Sequence, residues 1–187
     1  MKWLSIISIL LFSQACSHAP EIPLPRAKNV DLNRFMGDWY VVANIPTFIE
    51  KGAHNAIESY VMNKDGSIAT TFRFNQDAFN GELNIYNPTG YVSKNSNSEW
   101  GMQFIWPFKA EYIIAYLSDD YQHTIIARSA RDYLWVMSRS PVLDDRVFQS
   151  LLQRCVDMGY PREQIQKVPQ QISSSLNQHI AEMEVIQ

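Results

Sequence analysis

Short segments in which apolar and polar residues alternate recur roughly every ten residues between positions 39 and 137. Alternation with a period of two predicts strands, because successive side chains of a strand point to opposite faces. Asn, Asp, Gly and Ser separate most of these segments, as is typical of turns. The pattern predicts eight strands, at 39–45, 55–62, 67–74, 82–92, 99–106, 111–117, 123–128 and 133–138.

The connections between these segments are mostly of hairpin length, which predicts that consecutive strands pair antiparallel. Eight strands joined in this way close into a barrel without free edges, and its interior can hold one small ligand. The first connection, 46–54, is longer, as expected of a lid or a binding loop. The predicted fold is therefore all-β, an eight-stranded up-and-down antiparallel β-barrel.

One C-terminal helix is predicted after the last strand. Ser140 would cap its N-terminus and Pro141 would occupy its first turn, while Gly159 and Pro161 would end it. Apolar side chains at helical spacing form one stripe, at Val147, Leu151, Cys155 and Met158. We expect this stripe to pack against the outside of the barrel, with Cys155 as a small buried hydrophobe rather than a reactive thiol.

Composition and charge exclude several classes of function. The chain has 187 residues, of which 46% are hydrophobic, so it fits a single domain with one core. A net charge of −3 gives no basic surface for a nucleic-acid backbone, so nucleic acid is not an expected partner. The four histidines are dispersed, and motifs for a metal site, a nucleophile or a phosphate loop are missing. We therefore predict no catalytic residues, no metal and no cofactor.

The N-terminal segment is predicted to be a secretory signal peptide, residues 1–15, because Lys2 precedes an apolar run of about ten residues. That run is too short to span a bilayer. Three prolines within residues 16–30 predict an extended tether. The barrel and helix are assigned to residues 31–169, and residues 170–187 are a polar tail without assigned structure.

Cys16 follows the small residue Ala15 at the end of the apolar run. This arrangement resembles the bacterial lipobox, in which the thiol receives a diacylglyceryl group and becomes the mature N-terminus. The resemblance implies a lipid-anchored protein, and Ser17 in place of Asp implies sorting to the outer membrane, facing the periplasm or the cell surface. Ordinary cleavage with a free or paired Cys16 is the alternative.

Three motifs occur in order along residues 31–160. Gly37-x-Trp39 stands at the entry to the first predicted strand, Ser-Asp-Asp-Tyr follows at 118–121, and Arg-Asp-Tyr-Leu-Trp at 131–135 leads towards the helix. Together they resemble the lipocalin family, most of all its bacterial outer-membrane members, which are relatives of apolipoprotein D. The resemblance implies that Trp39 closes the base of the barrel with Arg139 over its indole, so Gly37, Trp39 and Arg139 are expected to be structural.

Strand parity predicts which side chains line the interior. Parity from Trp39 places Val41 and Ala43 inside, and parity from Arg139 places Trp135 and Met137 inside. On the sixth strand the face with Tyr112 is assigned to the interior, and the resemblance adds Glu58 and Tyr60. The expected ligand-binding residues are Glu58, Tyr60, Phe72, Phe74, Phe104, Tyr112, Ile114, Tyr116, Trp135 and Met137.

Five large apolar side chains fall on loops at the expected open mouth: Phe48, Ile49, Phe79, Trp106 and Phe108. A soluble protein seldom exposes such a patch without a use. These side chains either form a lid, a lipid entry or a membrane contact, or they fold inward and pack the rim.

An apolar interior with phenolic hydroxyls suits an acyl chain with a polar head. The expected function is therefore to bind and store or transport fatty acids or lysophospholipids at the bacterial outer membrane, without catalysis. An inward Glu58 would repel a ligand carboxylate and favour neutral, cationic or zwitterionic heads. Alternatives are an envelope protein-interaction module and a lipocalin-type enzyme acting on a bound lipid. We expect a monomer or a homodimer.

Overall fold

The computed structural model describes residues 23–171, so the predicted signal peptide, Cys16 and residues 172–187 lie outside the described residues. The strands are β1 (Gly37–Ile45), β2 (Ala53–Met62), β3 (Ile68–Gln76), β4 (Leu83–Tyr86), β5 (Thr89–Ser93), β6 (Ser96–Ile105), β7 (Phe108–Leu117), β8 (His123–Ala127), β9 (Leu134–Ser138) and β10 (Gln166–Lys167). The helices are α1 (Leu32–Phe35) and α2 (Asp145–Asp157), with a 3₁₀ turn at Arg162–Gln164. No helix within this part of the chain is long and apolar enough to cross a membrane.

The strands form a closed barrel. Neighbouring strands of the sheet pair antiparallel, and the barrel closes where β1 pairs with β9, with Tyr40 opposite Ser138. Both β4 and β5 pair with β3, and they are two pieces of one barrel strand interrupted at Pro88, which lacks the N–H that a ladder needs. β10 adds two residues beside β1. The prediction of an eight-stranded antiparallel barrel is confirmed.

Two apolar clusters lie on opposite faces of the barrel wall. Along β2, buried and half-buried positions alternate, so Ala56, Glu58 and Tyr60 share the inner face. The inner cluster includes Phe35, Trp39, Val41, Phe72, Phe74, Trp100, Met102, Tyr112, Ile114, Ile126 and Met137. The outer cluster joins the wall to α2 and includes Val42, Ile113, Ile125, Val136, Leu151, Leu152 and Cys155. The prediction that the helix packs outside the barrel is therefore confirmed.

Two register shifts reverse the strand parity that the sequence pattern assumes. One lies between Val41 and Ala43 on β1, and the other between Ile114 and Tyr116 on β7. Because each inserts one extra residue, the following side chains change face. The assignments of Ala43 and Tyr116 to the interior are wrong, since both pack with the outer cluster. Tyr116 lies under the guanidinium of Arg154 on α2, at 4.3 Å.

Helix α2 begins later than the sequence predicts. Its N-cap is Asp144, whose side chain accepts the N–H of Arg146 at 2.9 Å. Ser140 instead accepts the N–H of Val142 in the preceding loop, so the assignment of the cap to Ser140 is wrong. Gly159, with φ of +91°, lies just beyond the C-terminus, where a left-handed conformation commonly ends a helix.

Residues 23–30, the described part of the predicted tether, pack against the barrel. Leu24 and Val30 are buried, and the N–H of Ala27 donates to the carbonyl of Ile114 at 2.8 Å. At the other end of the described chain, the side chain of Gln170 donates to two carbonyls of the barrel wall, those of Val41 and Ala56.

Candidate ligand-binding site

The end of the barrel where β1 begins is sealed. The guanidinium of Arg139 lies 3.8 Å over the ring of Trp39, and it donates hydrogen bonds to four carbonyls, those of Arg34, Phe35, Met36 and Asp38. Trp39 donates its indole N–H to the carbonyl of Phe35 at 2.9 Å. Gly37 has φ of +93°, and a Cβ there would lie 3.4 Å from Nη1 of Arg139. These contacts close the base of the barrel.

An aromatic floor covers this base on the inside. The rings of Trp100 and Tyr112 are stacked with centroids 5.3 Å apart, and the ring of Tyr60 meets Trp100 edge-on at 5.7 Å. Phe35 lies between them and Trp39, at 5.1 Å from the Trp39 ring. Such tilted and offset arrangements are favourable for aromatic pairs. The floor fixes how deeply a ligand could reach from the other end.

A chain of polar groups lies on the aromatic floor. The hydroxyl of Tyr60 donates to the carboxylate of Glu58 and accepts from the hydroxyl of Tyr112. Burial raises the pKa of Glu58 to about 7, with the Tyr60 hydrogen bond opposing the rise and the charge of Glu50 adding to it. Burial also raises the pKa values of Tyr60 and Tyr112 well above their ordinary value, so both phenols remain protonated donors.

The upper wall of the interior is apolar. Phe72 and Phe74 lie 5.2 Å apart on β3, and Trp135 packs against the inner cluster from β9. Of the side chains predicted to bind ligand, eight lie on the inner face, namely Glu58, Tyr60, Phe72, Phe74, Tyr112, Ile114, Trp135 and Met137. Phe104 is 52% exposed and is not part of the inner cluster.

Sequence reasoning missed Glu50, a second buried carboxylate, in the loop between β1 and β2. It is 3% exposed and accepts hydrogen bonds from the side chains of Asn44, Thr47 and Trp135 and from the N–H of Thr47. In return, the N–H of Glu50 donates to the carbonyl of Thr47 at 3.3 Å. The Thr-x-x-Glu spacing, which is that of a capping box, is the sequence signal that could have found it.

The mouth carries the exposed apolar side chains that the sequence places there. Phe48, Trp106 and Phe108 are 82%, 82% and 76% exposed, so they do not fold inward, while Phe79 is 41% exposed and Ile49 is half-buried. Phe79 packs edge-on against the ring of His54. The β6–β7 tip carries two of these exposed side chains, Trp106 and Phe108.

A cavity of about 250 Å³ lies on the outside of the barrel. It lies between Ile57, Arg73 and Leu83 on one side and Gln170 and Gln171 on the other. A ligand test must therefore distinguish this outer cavity from the barrel interior.

The polar groups inside the barrel suit recognition of a ligand head group. Within residues 23–171, no three side chains of His, Cys, Asp or Glu lie close enough to hold a metal ion. Glu50 is already hydrogen-bonded to several donors of the protein, whereas Glu58 accepts one hydroxyl. Glu58 is therefore the interior carboxylate that retains capacity to accept a hydrogen bond from a ligand.

A closed eight-stranded barrel with one sealed end and an apolar interior defines a calyx-type β-barrel. The chain belongs to the lipocalin family, since the model of the lipocalin-like domain matches residues 30–170. This confirms the family resemblance of the three motifs. Lipocalins are generally binding proteins for small hydrophobic ligands rather than enzymes.

Relatives come from several kinds of organism. The chain is 28% identical over 153 residues to temperature-induced lipocalin-1 of Arabidopsis thaliana, covering 76% of this chain and 81% of that protein. It is 26% identical over 151 residues to outer membrane lipoprotein Blc of Citrobacter freundii, covering 78% and 83%. Apolipoprotein D of Bos taurus is 25% identical over 145 residues, covering 68% of each chain.

Solved structures agree with the fold. Insecticyanin from the tobacco hornworm Manduca sexta superposes with a TM-score of 0.63 at 14% identity, covering 82% of this chain and 87% of that chain. At this level of identity the likeness concerns the fold alone.

Proposed function

We propose that the protein binds fatty acids or lysophospholipids inside the barrel and stores or transports them at the bacterial outer membrane. The observation that carries the proposal is the interior itself, which is sealed at Trp39, apolar along its upper wall and polar at Glu58, Tyr60 and Tyr112. Such a site, with an apolar wall and a few convergent polar groups, is typical of small-molecule recognition.

The energetics support an acyl chain as the ligand. Removing each CH₂ from water contributes about 0.8 kcal/mol, so a chain of about 14 to 18 carbons gains roughly 11 to 14 kcal/mol before ordering costs. After those costs, micromolar to nanomolar affinity is expected.

A lipid anchor at Cys16 is the second part of the proposal. Its supports are the lipobox-like sequence and the similarity to proteins named outer membrane lipoprotein Blc. We infer that the anchored barrel works in the bacterial envelope, facing the periplasm or the cell surface. Globomycin, which blocks cleavage before a lipidated cysteine, provides the direct test: the unprocessed chain accumulates if Cys16 is lipidated, and Cys16→Ser removes that response.

Native mass spectrometry tests ligand binding. The Cys16→Ser chain, which cannot be lipidated, is measured after purification and again after addition of a fatty acid or a lysophospholipid. We expect one lipid per barrel, with weaker binding in Trp135→Ala, because that substitution removes part of the interior wall. Leu83→Ala, which alters the outer cavity, serves as the matched control and should bind as the unaltered chain does.

Other outcomes would contradict the proposal. If Leu83→Ala alone weakens binding, the outer cavity holds the lipid. A barrel that takes up no lipid and co-purifies with one stoichiometric protein would favour the protein-interaction alternative.

The raised pKa of Glu58 favours one further candidate, an enzyme acting on the bound lipid. Its test is conversion of the bound lipid to a product of different mass, abolished in Glu58→Gln.

A further inference from the structure

The polar chain inside the barrel ends in a carboxylate rather than in a hydroxyl. Because the hydroxyl of Tyr60 donates its single proton to Glu58, its oxygen is left to accept from Tyr112, so both phenols act as donors and Glu58 is the accepting end of the chain. All three side chains are buried, with exposed fractions of 4%, 1% and 7% in that order. A ligand head group therefore meets an acceptor at the end of this chain.

The position of Glu58 matches that of a head-group site. It lies opposite Trp39 of β1 and Phe72 of β3 in the strand register, so its immediate neighbours across the wall are apolar. Tyr60 below it packs on Phe35 at 5.6 Å, within the aromatic floor. A ligand that enters from the mouth and reaches the floor thus brings its leading group to Glu58.

The charged side chains near Glu58 are either negative or already hydrogen-bonded to other groups of the protein. The ion pairs seen between residues 23 and 171 do not include it. The charged group that acts on it is another carboxylate, Glu50, held by donors of its own loop and strands. Arg139 lies across the ring of Trp39 and gives its N–H groups to backbone carbonyls. A ligand cation would therefore supply the counter-charge that Glu58 lacks.

We propose that Glu58, Tyr60 and Tyr112 form a head-group subsite that selects lipids bearing a protonated amine over lipids bearing a carboxylate. This inference rests on the proposed function, because it names the class of ligand that the interior takes. An ammonium group next to a desolvated carboxylate gains charge-assisted hydrogen bonds, whereas a ligand carboxylate there meets a like charge.

The affinities of the two classes of lipid should change with pH in opposite directions. Burial raises the pKa of Glu58 to about 7, while Tyr60 and Tyr112 keep their protons. Glu58 is therefore mostly neutral at about pH 6 and mostly ionised at about pH 8. Amine binding strengthens across this interval, and carboxylate binding weakens.

Calorimetric titration with dodecylamine and dodecanoic acid tests the subsite, since these probes differ only in the head group. In the Cys16→Ser chain we expect dodecylamine to bind about tenfold more tightly at pH 8 than at pH 6, following the ionised fraction of Glu58. Dodecanoic acid should bind about tenfold more weakly at the higher pH. Glu58→Gln should abolish both trends, and Glu163→Gln, which alters an exposed carboxylate outside the barrel, should keep them.

The outcomes separate this inference from the proposed function. Binding of both probes with affinities independent of pH in the unaltered protein overturns the subsite and leaves lipid binding intact. Trends that persist in Glu58→Gln overturn it as well, because another group then titrates. If neither probe binds at either pH, the subsite fails, and the proposed function fails with it if native mass spectrometry also finds no uptake of a lysophospholipid. The opposite signs for the two probes in the unaltered protein test the subsite even if Glu58→Gln does not fold.

Discussion

The indole N–H of Trp135 donates a hydrogen bond of 2.8 Å to the carboxylate of Glu50. This contact joins the last barrel strand to the loop between β1 and β2. Asn44 on β1 donates to the same carboxylate oxygen at 3.2 Å, so two strands fix one loop residue. Because the acceptor is a buried carboxylate, these bonds are stronger than neutral ones. The long loop is therefore fixed to the barrel wall at Glu50.

Trp135→Phe should lower the stability of the protein. The substitution keeps most of the ring but removes the N–H, which leaves the buried carboxylate of Glu50 with one donor fewer. We expect a loss of about 1 to 3 kcal/mol in the free energy of unfolding, measured by urea denaturation. Trp106→Phe makes the same change at a side chain that is 82% exposed, and it should leave stability almost unchanged. Equal effects of the two substitutions would contradict the role of the hydrogen bond.

The sequence pattern was sufficient to predict the barrel, because alternating apolar and polar residues mark each strand. The family resemblance placed Glu58 and Tyr60 inside the barrel, where the structure has them, and the stripe through Leu151 and Cys155 correctly predicted the outer helix. Strand parity gave the wrong face for Ala43 and Tyr116, because one strand of each pair has an extra residue just before these positions. A bulge changes the face of every later side chain and leaves no mark in a count of alternating residues.

The site was less predictable than the fold. Glu50 stands between Ile49 and Lys51 in a loop, where a carboxylate ordinarily faces water. Its burial depends on donors from β1 and β9, which are distant in sequence and meet only in the closed barrel. By contrast, the family motif implied that Arg139 lies over Trp39, and the structure contains that contact.

Stability should fall as the pH rises towards 7, and Glu58 should be the cause. The pKa of Glu58 rises from 4.5 to about 7 on burial, so the folded protein binds more protons than the unfolded chain between these values. The free energy of unfolding therefore decreases with pH across this interval, by roughly 3 kcal/mol in total. Urea denaturation at about pH 5 and about pH 8 measures the difference.

Glu58→Gln provides the reference for that measurement, because its side chain has a similar size and does not titrate. The unaltered protein should lose stability relative to Glu58→Gln as the pH rises. Glu163→Gln, on the exposed 3₁₀ turn, should follow the unaltered protein. Parallel pH profiles for the unaltered protein and Glu58→Gln would show that Glu58 titrates normally.

Arg139→Lys should destabilise the closed end of the barrel. Lysine keeps the charge but cannot stack a planar group on Trp39 or reach four carbonyls with a rigid fork of donors. Because several of these carbonyls would lose their donor, we expect the free energy of unfolding to fall by at least about 2 kcal/mol. Arg146→Lys is the matched control, since that side chain is 95% exposed. A change of less than about 0.5 kcal/mol at Arg139 would show that water replaces the lost donors.

The β6–β7 tip should contact lipid bilayers. Trp106 and Phe108 are among the most exposed large apolar side chains of the described residues, and both lie at the open end of the barrel. Burying one such side chain in a bilayer contributes about 1.5 to 3 kcal/mol, so Trp106→Ser with Phe108→Ser should weaken vesicle binding by about tenfold or more. Co-sedimentation of residues 17–187 with neutral phosphatidylcholine vesicles measures this, because these residues lack both Cys16 and the apolar run of the predicted signal peptide. Val61→Ser with Val142→Ser changes two other exposed apolar side chains and should leave binding unaltered. If both pairs of substitutions weaken binding equally, general surface hydrophobicity accounts for it and the tip has no special role.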